Sequence, residues 1–211
     1  MPCPVPTPGE PESLPLPDGE LLLYTGLRLG CREDSLLRRL IDDVDWRQEH
    51  VTLFGKTHKQ PRLVAWYGDR EARYRYSGKT YDPHPWDNTL LRLKALAEQA
   101  SASRFNSVLL NYYRDGRDAM GLHADDEPEL GPEPVIASLS LGATRTLYFR
   151  HRFRRELATV NVPLPSGSLL VMRGATQRNW KHGIRKLSRP CGPRINLTFR
   201  QILRHQGTLA G

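Results

Sequence analysis

Two histidines and an aspartate have a spacing that suits a mononuclear metal site. His123 and Asp125 lie two residues apart in GLHADDE, so on an extended segment both side chains project from the same face. His182 follows Asp125 after 57 positions, in NWKHGIR. Two imidazoles and one carboxylate on one face of an octahedron leave three positions for a bidentate cosubstrate and dioxygen, which suits ferrous iron. The spacing alone is weak, because such residues also occur by chance in solvated segments.

A second polar pattern lies twelve residues beyond His182, in PRINLTFR. Arg194, Asn196 and Arg200 occupy alternate positions of a predicted strand, so their side chains face the same way. A guanidinium presents a fork that matches the two oxygens of a carboxylate. The strand therefore suits a dicarboxylate cosubstrate, unless this face is solvated and the apolar residues between them form the core. Spacing does not separate these two interpretations.

The charge distribution favours an anionic partner. The chain of 211 residues has a formal net charge of +8 and a sequence pI near 9.7. Fourteen Arg and Lys residues stand between Thr144 and His205 against a single acid, Glu156, whereas the first fifty residues hold ten acids and five bases. This asymmetry predicts a C-terminal half that faces phosphates.

Length and composition indicate one globular domain. Hydrophobic residues make up 38%, and no apolar run approaches the roughly 20 residues that span a bilayer. The first eighteen residues lack the pattern of a secretory signal. Three widely spaced cysteines show no CxxC pair, so we expect reduced thiols. We therefore expect a cytoplasmic monomer without membrane contact.

Two helices are expected in the first half of the chain. The opening nineteen residues contain seven prolines and predict a flexible leader. Apolar residues at helical spacing then predict a helix that Asp34 or Ser35 caps and that reaches Val44. A second amphipathic helix is predicted over Asp87 to Ala100.

The remaining elements are predicted strands. Val51–Phe54 precedes a region that resembles a β-hairpin, formed by Arg62–Tyr67 and Arg73–Tyr76. The later strands are Ser107–Tyr113, Val135–Leu141, Arg145–Arg150, Ala158–Val162, Ser168–Met172 and Arg194–Arg200. Many short strands after two helices predict an α+β, mainly β fold, with a sandwich or barrel and helices on one side.

Several long segments resemble the AlkB family of Fe(II)/2-oxoglutarate-dependent dioxygenases. They are LNYYRDGRDAMGLHADDEPELGPEPVIASLSLGATRTLYFR, GSLLVMRGATQRNWKH and PRINLTFRQI, preceded by FGK, PRLVAWYGD and YRYSGKTYDPHPW. The resemblance covers roughly Phe54 to Ile202. It implies a single dioxygenase domain over 20–211, with a double-stranded β-helix (jelly-roll) core at about 105–202 and a nucleotide-recognition lid at about 50–85.

The resemblance also implies an activity. Members of the family demethylate bases such as 1-methyladenine and 3-methylcytosine in DNA, some also in RNA, and so repair damage by direct reversal. They use Fe(II), 2-oxoglutarate and O2 and release succinate, CO2 and formaldehyde. One alternative is an oxygenase that acts on RNA or on protein side chains. Another is a nucleic-acid-binding module with a vestigial metal site, against which the intact triad and both arginines argue.

Carried over to this sequence, the resemblance assigns the iron ligands to His123, Asp125 and His182. A second group would bind 2-oxoglutarate: Asn111, Tyr113, Arg194, Asn196 and Arg200. Arg194 resembles the family's arginine that forms a salt bridge with the distal carboxylate of the cosubstrate, or a residue close to that arginine. Which arginine takes which carboxylate stays open at this point.

The resemblance further implies residues that handle the damaged base, which must be flipped out of a duplex to reach a buried metal. Tyr76 would stack on that base, unless it packs within a hairpin. Phe54 would wedge into the gap that the flipped base leaves, with Lys56 nearby for a phosphate, unless Phe54 is a core residue. Asp126 would accept a hydrogen bond from the exocyclic amine of the base, with Glu127 as the alternative carrier.

A dense group of arginines surrounds one predicted hairpin and is also a candidate contact for the nucleic-acid backbone. Its members are Arg145, Arg150, Arg152, Arg154 and Arg155. The alternative is a solvated hairpin in a basic protein.

Overall fold

The computed structural model describes residues 7–53, 56–72, 74–76 and 79–203, without the side chains of 51–53, 56, 74–76 and 79–81. Its N-terminal part contains β1 (Glu12–Leu14), β2 (Glu20–Tyr24), α1 (Glu33–Asp43), β3 (His50–Leu53), β4 (Lys56–Lys59), β5 (Leu63–Gly68), β6 (Tyr74–Tyr76), β7 (Lys79–Tyr81) and α2 (Asn88–Ser101). The C-terminal part contains β8 (Ser107–Tyr113), β9 (Met120–His123), β10 (Ile136–Gly142), β11 (Arg145–His151), β12 (Val160–Leu164), β13 (Ser168–Arg173), α3 (Thr176–Asn179), β14 (Trp180–Ile184) and β15 (Arg194–Arg200).

Two antiparallel sheets form a jelly-roll sandwich. The larger sheet has the order β1-β2-β13-β10-β15-β8-β5, and the smaller one has the order β12-β11-β14-β9. One apolar core fills the space between them and includes Phe149 and Trp180 from the smaller sheet and Ile136 and Leu170 from the larger. A second core joins the other face of the larger sheet to α1 and α2. The helices thus lie on one side, as the sequence predicts.

Strand β15 shows how alternation along one strand serves both cores. Ile195, Leu197 and Phe199 pack toward the helices. Arg194 and Arg200 alternate with them and are 2% and 3% exposed on the face toward the smaller sheet. The interpretation of this polar face as solvated is therefore wrong.

The two long helices begin in different ways. Helix α2 has Asp87 as its N-cap, whose side chain accepts a hydrogen bond from the backbone N–H of Leu90 at 2.7 Å. Helix α1 begins at Glu33 after Arg32, with no side-chain cap, so the prediction that Asp34 or Ser35 caps it is wrong. No helix in the described part of the chain is long and apolar enough to cross a membrane.

The predicted flexible leader is ordered over much of its length. Glu12–Leu14 pairs with β2 at the edge of the larger sheet. The side chain of Leu16 is buried, and the indole N–H of Trp180 donates to the carbonyl of Pro17 at 2.7 Å. The prediction of a flexible leader is wrong for these residues, because the prolines flank an edge strand and remove no ladder donor from it.

The region before α2 contains two small hairpins that differ from the predicted one. Strand β5 pairs with β8 and extends the larger sheet, because Ala65, Trp66 and Tyr67 are buried there. The separate hairpins are β3–β4 and β6–β7. The predicted pairing between the strands near Arg62–Tyr67 and Arg73–Tyr76 is therefore wrong.

Candidate active site

The three predicted metal ligands meet at one end of the smaller sheet. His123 ends β9 and stands directly opposite His182 on β14. Asp125 lies two residues beyond the end of β9, and one donor atom from each residue lies within 4.8 Å of the others. His182 and Asp125 are buried, and His123 is partly exposed. The structure thus brings together the triad that the spacing indicated.

The donor atoms of the triad fit a metal ion. The Nδ1 atom of His123 lies 3.0 Å from the carbonyl of Gly121, so a proton held there leaves the Nε2 lone pair free. That Nε2 atom and Oδ2 of Asp125 are buried without a hydrogen-bond partner among the described residues, and Oδ2 lies 3.9 Å from Nε2 of His182. Burial and the neighbouring His123 lower the pKa of His182 to about 3, so its imidazole stays neutral. Such a set of buried donors fits ferrous iron.

Two other residues hold Asp125 in place. Its backbone N–H donates to Oε1 of Gln177 at 3.0 Å. Its Oδ1 accepts from Nη2 of Arg200 at 2.5 Å. Burial alone would raise the pKa of Asp125, but the charges of Arg200 and of the two histidines lower it below its ordinary value. No pattern in the sequence singled out Gln177, which lies on the short helix α3 before His182.

Arg194 lies buried with part of its guanidinium unused. Its Nη2 donates to Oγ of Ser140 at 2.9 Å, and the guanidinium lies 5.2 Å from the ring centroid of Tyr113. Its Nε and Nη1 atoms have no partner in the described part of the chain. Burial lowers the pKa of Arg194. A buried fork of this kind is a binding place for a carboxylate.

Asn111 and Tyr113 lie on β8, opposite the polar positions of β15. Asn111 pairs in register with Asn196, and Tyr113 pairs with Arg194. Both β8 side chains are 1% exposed, and Oδ1 of Asn111 accepts from Nε of Arg62 at 2.8 Å. The structure therefore places Tyr113 beside Arg194, and Asn111 beside Asn196, which lies on the same strand as Arg194.

Asn196 uses its amide within the protein. Its Nδ2 donates to Oγ of Ser138 at 2.7 Å and to the carbonyl of Leu139 at 3.1 Å. Its Oδ1 accepts from the hydroxyl of Thr198 at 3.0 Å. The described bonds thus engage the Asn196 amide within the protein, and its role toward the cosubstrate stays a prediction. Its bonds join β15 to β10.

A cavity of about 460 Å³ opens beside the triad. Its lining includes His123, Asp125, Glu127 and Arg200, together with residues from β5 and from the segments around it. This second group includes Asp45, Arg47, Gln60, Arg62, Val64, Trp66, Asp82 and His84. The cavity thus connects the metal site with the region of the predicted recognition lid.

Of the two neighbouring carboxylates, Glu127 and not Asp126 lines this cavity. The Oδ2 atom of Asp126 accepts from Nη1 of Arg152 at 2.5 Å, and the Asp126 side chain is 46% exposed. The structure therefore places the alternative residue, Glu127, at the cavity, and which of the two carboxylates contacts the base stays a prediction. Sequence did not reveal this placement because the partner of Asp126, Arg152, is 26 residues away.

Three predicted substrate residues have side chains outside the described part of the chain. Phe54 lies there entirely, between β3 and β4. Lys56 begins β4 and Tyr76 ends β6, but only their backbones are described. Their roles toward the base stay predictions.

The predicted basic hairpin is less uniform than its sequence. Arg145 is buried, so its assignment to a backbone-binding surface is wrong. Arg152 pairs with Asp126, and Arg154 pairs with two acids, Asp18 and Glu156. The exposed members that have no ion pair in the described structure are Arg150 and Arg155.

The sandwich, the His-Asp-His triad and the two buried arginines of β15 are the features of a protein class that holds ferrous iron and a carboxylate cosubstrate. A family model described as the 2OG-Fe(II) oxygenase superfamily matches residues 31–200. DNA oxidative demethylase ALKBH2 of Mus musculus is 39% identical over 216 residues, which cover 95% of this chain and 90% of the relative. The chain belongs to the 2OG-Fe(II) oxygenase superfamily and, within it, to the AlkB family. Its cofactors are therefore Fe(II) and 2-oxoglutarate, with O2.

Two further comparisons define how far the likeness extends. The alpha-ketoglutarate-dependent dioxygenase alkB homolog 3 of Mus musculus is 44% identical over 188 residues, which cover 85% of this chain. The matched part spans 65% of the length of that relative. The solved structure of OsALKBH1 superposes with a TM-score of 0.61 at 18% identity and covers 90% of this chain and 100% of the other. This last likeness concerns the fold alone.

Proposed function

We propose that the protein removes methyl groups from N-alkylated DNA bases of the 1-methyladenine and 3-methylcytosine type, as direct-reversal repair. The cavity of about 460 Å³ carries this proposal, because it leads from the recognition half of the chain to the triad and has Glu127 on its wall. The relative named DNA oxidative demethylase supports DNA as the substrate. RNA is a second substrate to test, because the sequence shows no feature that excludes a 2′-hydroxyl.

Different residues around the triad bind the metal and the two carboxylates of the cosubstrate. When bound, Fe(II) with 2-oxoglutarate and O2 supplies the hydroxylation of the N-methyl carbon, after which formaldehyde leaves the base and succinate and CO2 remain. His123, Asp125 and His182 hold the metal. Arg200 lies at the metal end, because it bonds to Asp125, so it serves the near carboxylate. Arg194 then serves the distal carboxylate with its unused Nε and Nη1 atoms.

Access to the cavity requires that a base leaves its stack. In this proposal Tyr76 stacks on the flipped base and Phe54 fills the gap in a duplex, with Lys56 at a phosphate. The carboxylate of Glu127 accepts a hydrogen bond from the exocyclic amine of the base. Methylation at N1 of adenine or N3 of cytosine makes the base cationic, and a carboxylate in a water-poor cavity favours such a base.

An assay for succinate and formaldehyde tests the reaction and the substrate together. Methylated single-stranded and double-stranded oligonucleotides of DNA and RNA are supplied with Fe(II), 2-oxoglutarate and ascorbate, and unmethylated oligonucleotides serve as controls. We expect formaldehyde from methylated DNA, with succinate in equal amount. Succinate without formaldehyde on every oligonucleotide would instead favour a protein substrate. Binding of oligonucleotides without either product would favour the vestigial module.

Replacing Glu127 by glutamine should change lesion selectivity. A hydrogen bond to a charged group contributes about 1.5–3 kcal/mol, so the ratio of kcat/KM for 3-methylcytosine to that for neutral 3-methylthymine should fall about tenfold or more. Asp126→Asn is the matched control, since Asp126 is the adjacent residue, carries the same charge and is paired with Arg152. The ratio is measured in single-stranded oligonucleotides. If the ratio fell for Asp126→Asn alone, Asp126 and not Glu127 would be the residue that contacts the base. If the ratio were unchanged in both variants, neither carboxylate would discriminate between cationic and neutral bases.

Replacing Phe54 by alanine should weaken repair of a duplex more than repair of a single strand. Only the duplex leaves a gap that an apolar wedge fills, and unstacking a base step costs a few kcal/mol. We expect a loss of roughly tenfold or more on the duplex. Phe153→Ala is the matched control, because Phe153 is 68% exposed on a different hairpin. Equal losses on both substrates for Phe54→Ala would show that Phe54 is a core residue.

A further inference from the structure

Arg145 is a buried arginine at the first residue of β11, with 2% of its surface exposed. Its Nη1 donates to the carbonyl of Asp115 at 3.2 Å. Its Nη2 donates to the carbonyls of Asp118 at 3.0 Å and Arg185 at 2.5 Å. The guanidinium thus joins the loop after β8 to the residue that follows β14.

These three hydrogen bonds use donors of both terminal nitrogens of Arg145 but do not neutralise its charge. In the described part of the chain no carboxylate forms an ion pair with it. The carboxylate of Asp118 is bound by Nε and Nη2 of Arg114 at 2.8 and 2.9 Å. The carboxylate of Asp115 is bound by Arg117. Arg145 therefore brings a positive charge into the interior without an anion in contact with it.

A second buried cation faces the same aromatic ring. The guanidinium of Arg145 lies 5.7 Å from the ring centroid of Tyr113, and that of Arg194 lies 5.2 Å from it. Burial lowers the pKa of Arg194, and the charge of Arg145 lowers it further. The other ionisable groups that act on Arg194 are Tyr113 and Cys191, neither of which is a carboxylate. Two buried cations near one ring create a positive potential that an anion relieves.

We propose that Arg145 is a positioning residue for the cosubstrate, whose charge makes the pocket select 2-oxo acids that carry a distal carboxylate. The proposal rests on the assignment of Arg194 to that carboxylate under the proposed function. Arg194 contacts the distal carboxylate directly. Arg145 attracts that carboxylate through its electrostatic potential and also holds the ring of Tyr113 by a cation–π contact. A 2-oxo acid with an apolar tail would leave both cations without an anion, so the pair also excludes such acids.

The test compares two acids that differ only at the distal group. Anaerobic protein loaded with Mn(II), which prevents turnover, is titrated calorimetrically with 2-oxoglutarate and with 2-oxopentanoate, in which a methyl group replaces the distal carboxylate. We expect Arg145→Gln to raise the Kd for 2-oxoglutarate about tenfold and to leave the Kd for 2-oxopentanoate unchanged. Arg145→Lys, which keeps the charge, should recover most of the loss. Arg150→Gln, on the same strand but exposed, should change neither Kd.

Turnover supplies a second measurement. With Fe(II) and a methylated oligonucleotide, Arg145→Gln should raise the KM for 2-oxoglutarate and leave kcat at saturation unchanged. Equal weakening of both acids, or no weakening of either, would overturn the role of Arg145 in selection. If the unaltered protein binds 2-oxoglutarate no better than 2-oxopentanoate, the assignment of Arg194 is itself wrong. If Arg145→Gln does not fold, Arg145→Lys is measured in its place. A Kd for 2-oxoglutarate close to that of the unaltered protein supports a role of the charge, and a large rise in that Kd contradicts it, whether or not 2-oxopentanoate is weakened as well.

Discussion

Replacing His182 by alanine is expected to abolish both iron retention and turnover while the protein still folds. His182 is one of three donors within 4.8 Å of one another, so its loss leaves a two-ligand site. Mutation of a residue that merely orients a ligand costs roughly 10- to 100-fold in metal affinity or activity, and loss of a direct ligand should exceed that. The measurements are the iron content after anaerobic reconstitution, formaldehyde release, and the thermal midpoint of the metal-free protein.

His84→Ala is the matched control for this change. His84 lines the same cavity but pairs with Asp45, at 3.5 Å from Nε2 to Oδ2, and lies outside the triad. We expect it to retain iron at the level of the unaltered protein, whatever its effect on the substrate. Normal demethylation by His182→Ala would contradict the assignment of the triad. Loss of iron in both variants would show that the cavity wall as a whole, and not the triad, determines retention.

The strand β15 was predictable because its information is local. Arg194, Asn196 and Arg200 alternate with apolar residues over seven positions, and the structure has a strand with the same bounds. Burial of both arginines could not be predicted, since alternation fixes which residues share a face but not which face meets solvent. That choice depends on the smaller sheet, which packs over the polar face and comes from other parts of the sequence.

The two strands that carry the histidines were not predicted. Met120–His123 has only four residues and includes a glycine, and Trp180–Ile184 follows a four-residue helix. Neither has the run of β-branched or alternating residues that marks a strand. Their pairing places His123 opposite His182, and this register depends on contacts between distant segments. The spacing could therefore indicate the ligands but not how they meet.

Arg145 shows the opposite case, in which the sequence contained the information. Arg145, Leu147 and Phe149 alternate along β11, and all three are buried. Because side chains alternate between the two faces of a strand, Arg145 shares the apolar face with Leu147 and Phe149. The density of arginines around the hairpin indicated a surface instead, because charged residues are rarely buried without a partner. Backbone carbonyls provide the partners here, and composition does not reveal them.

Replacing Arg194 by methionine should produce two effects of opposite sign. Removing one partner of a buried ion pair costs about 3–5 kcal/mol, so the Kd for 2-oxoglutarate should rise roughly 100-fold or more. In the absence of the cosubstrate, however, Arg194 is a buried cation with two unpaired nitrogen atoms, Nε and Nη1. Methionine removes this unpaired charge and has a similar apolar stem. We therefore expect the thermal midpoint of the cosubstrate-free variant to rise or stay unchanged.

A residue with a purely structural role would not behave in this way, because its loss would lower the midpoint whether or not the cosubstrate is present. The experiment measures thermal midpoints of Mn(II)-loaded protein with and without saturating 2-oxoglutarate, for Arg194→Met, Arg194→Lys and the exposed control Arg189→Met. Arg194→Lys keeps the charge but loses the fork that matches two oxygens, so its cosubstrate-induced shift should lie between the others. Arg189→Met should show the full shift. A full shift in Arg194→Met would mean that another residue holds the distal carboxylate, and a lower midpoint without cosubstrate would mean that the bond to Ser140 outweighs the unpaired charge.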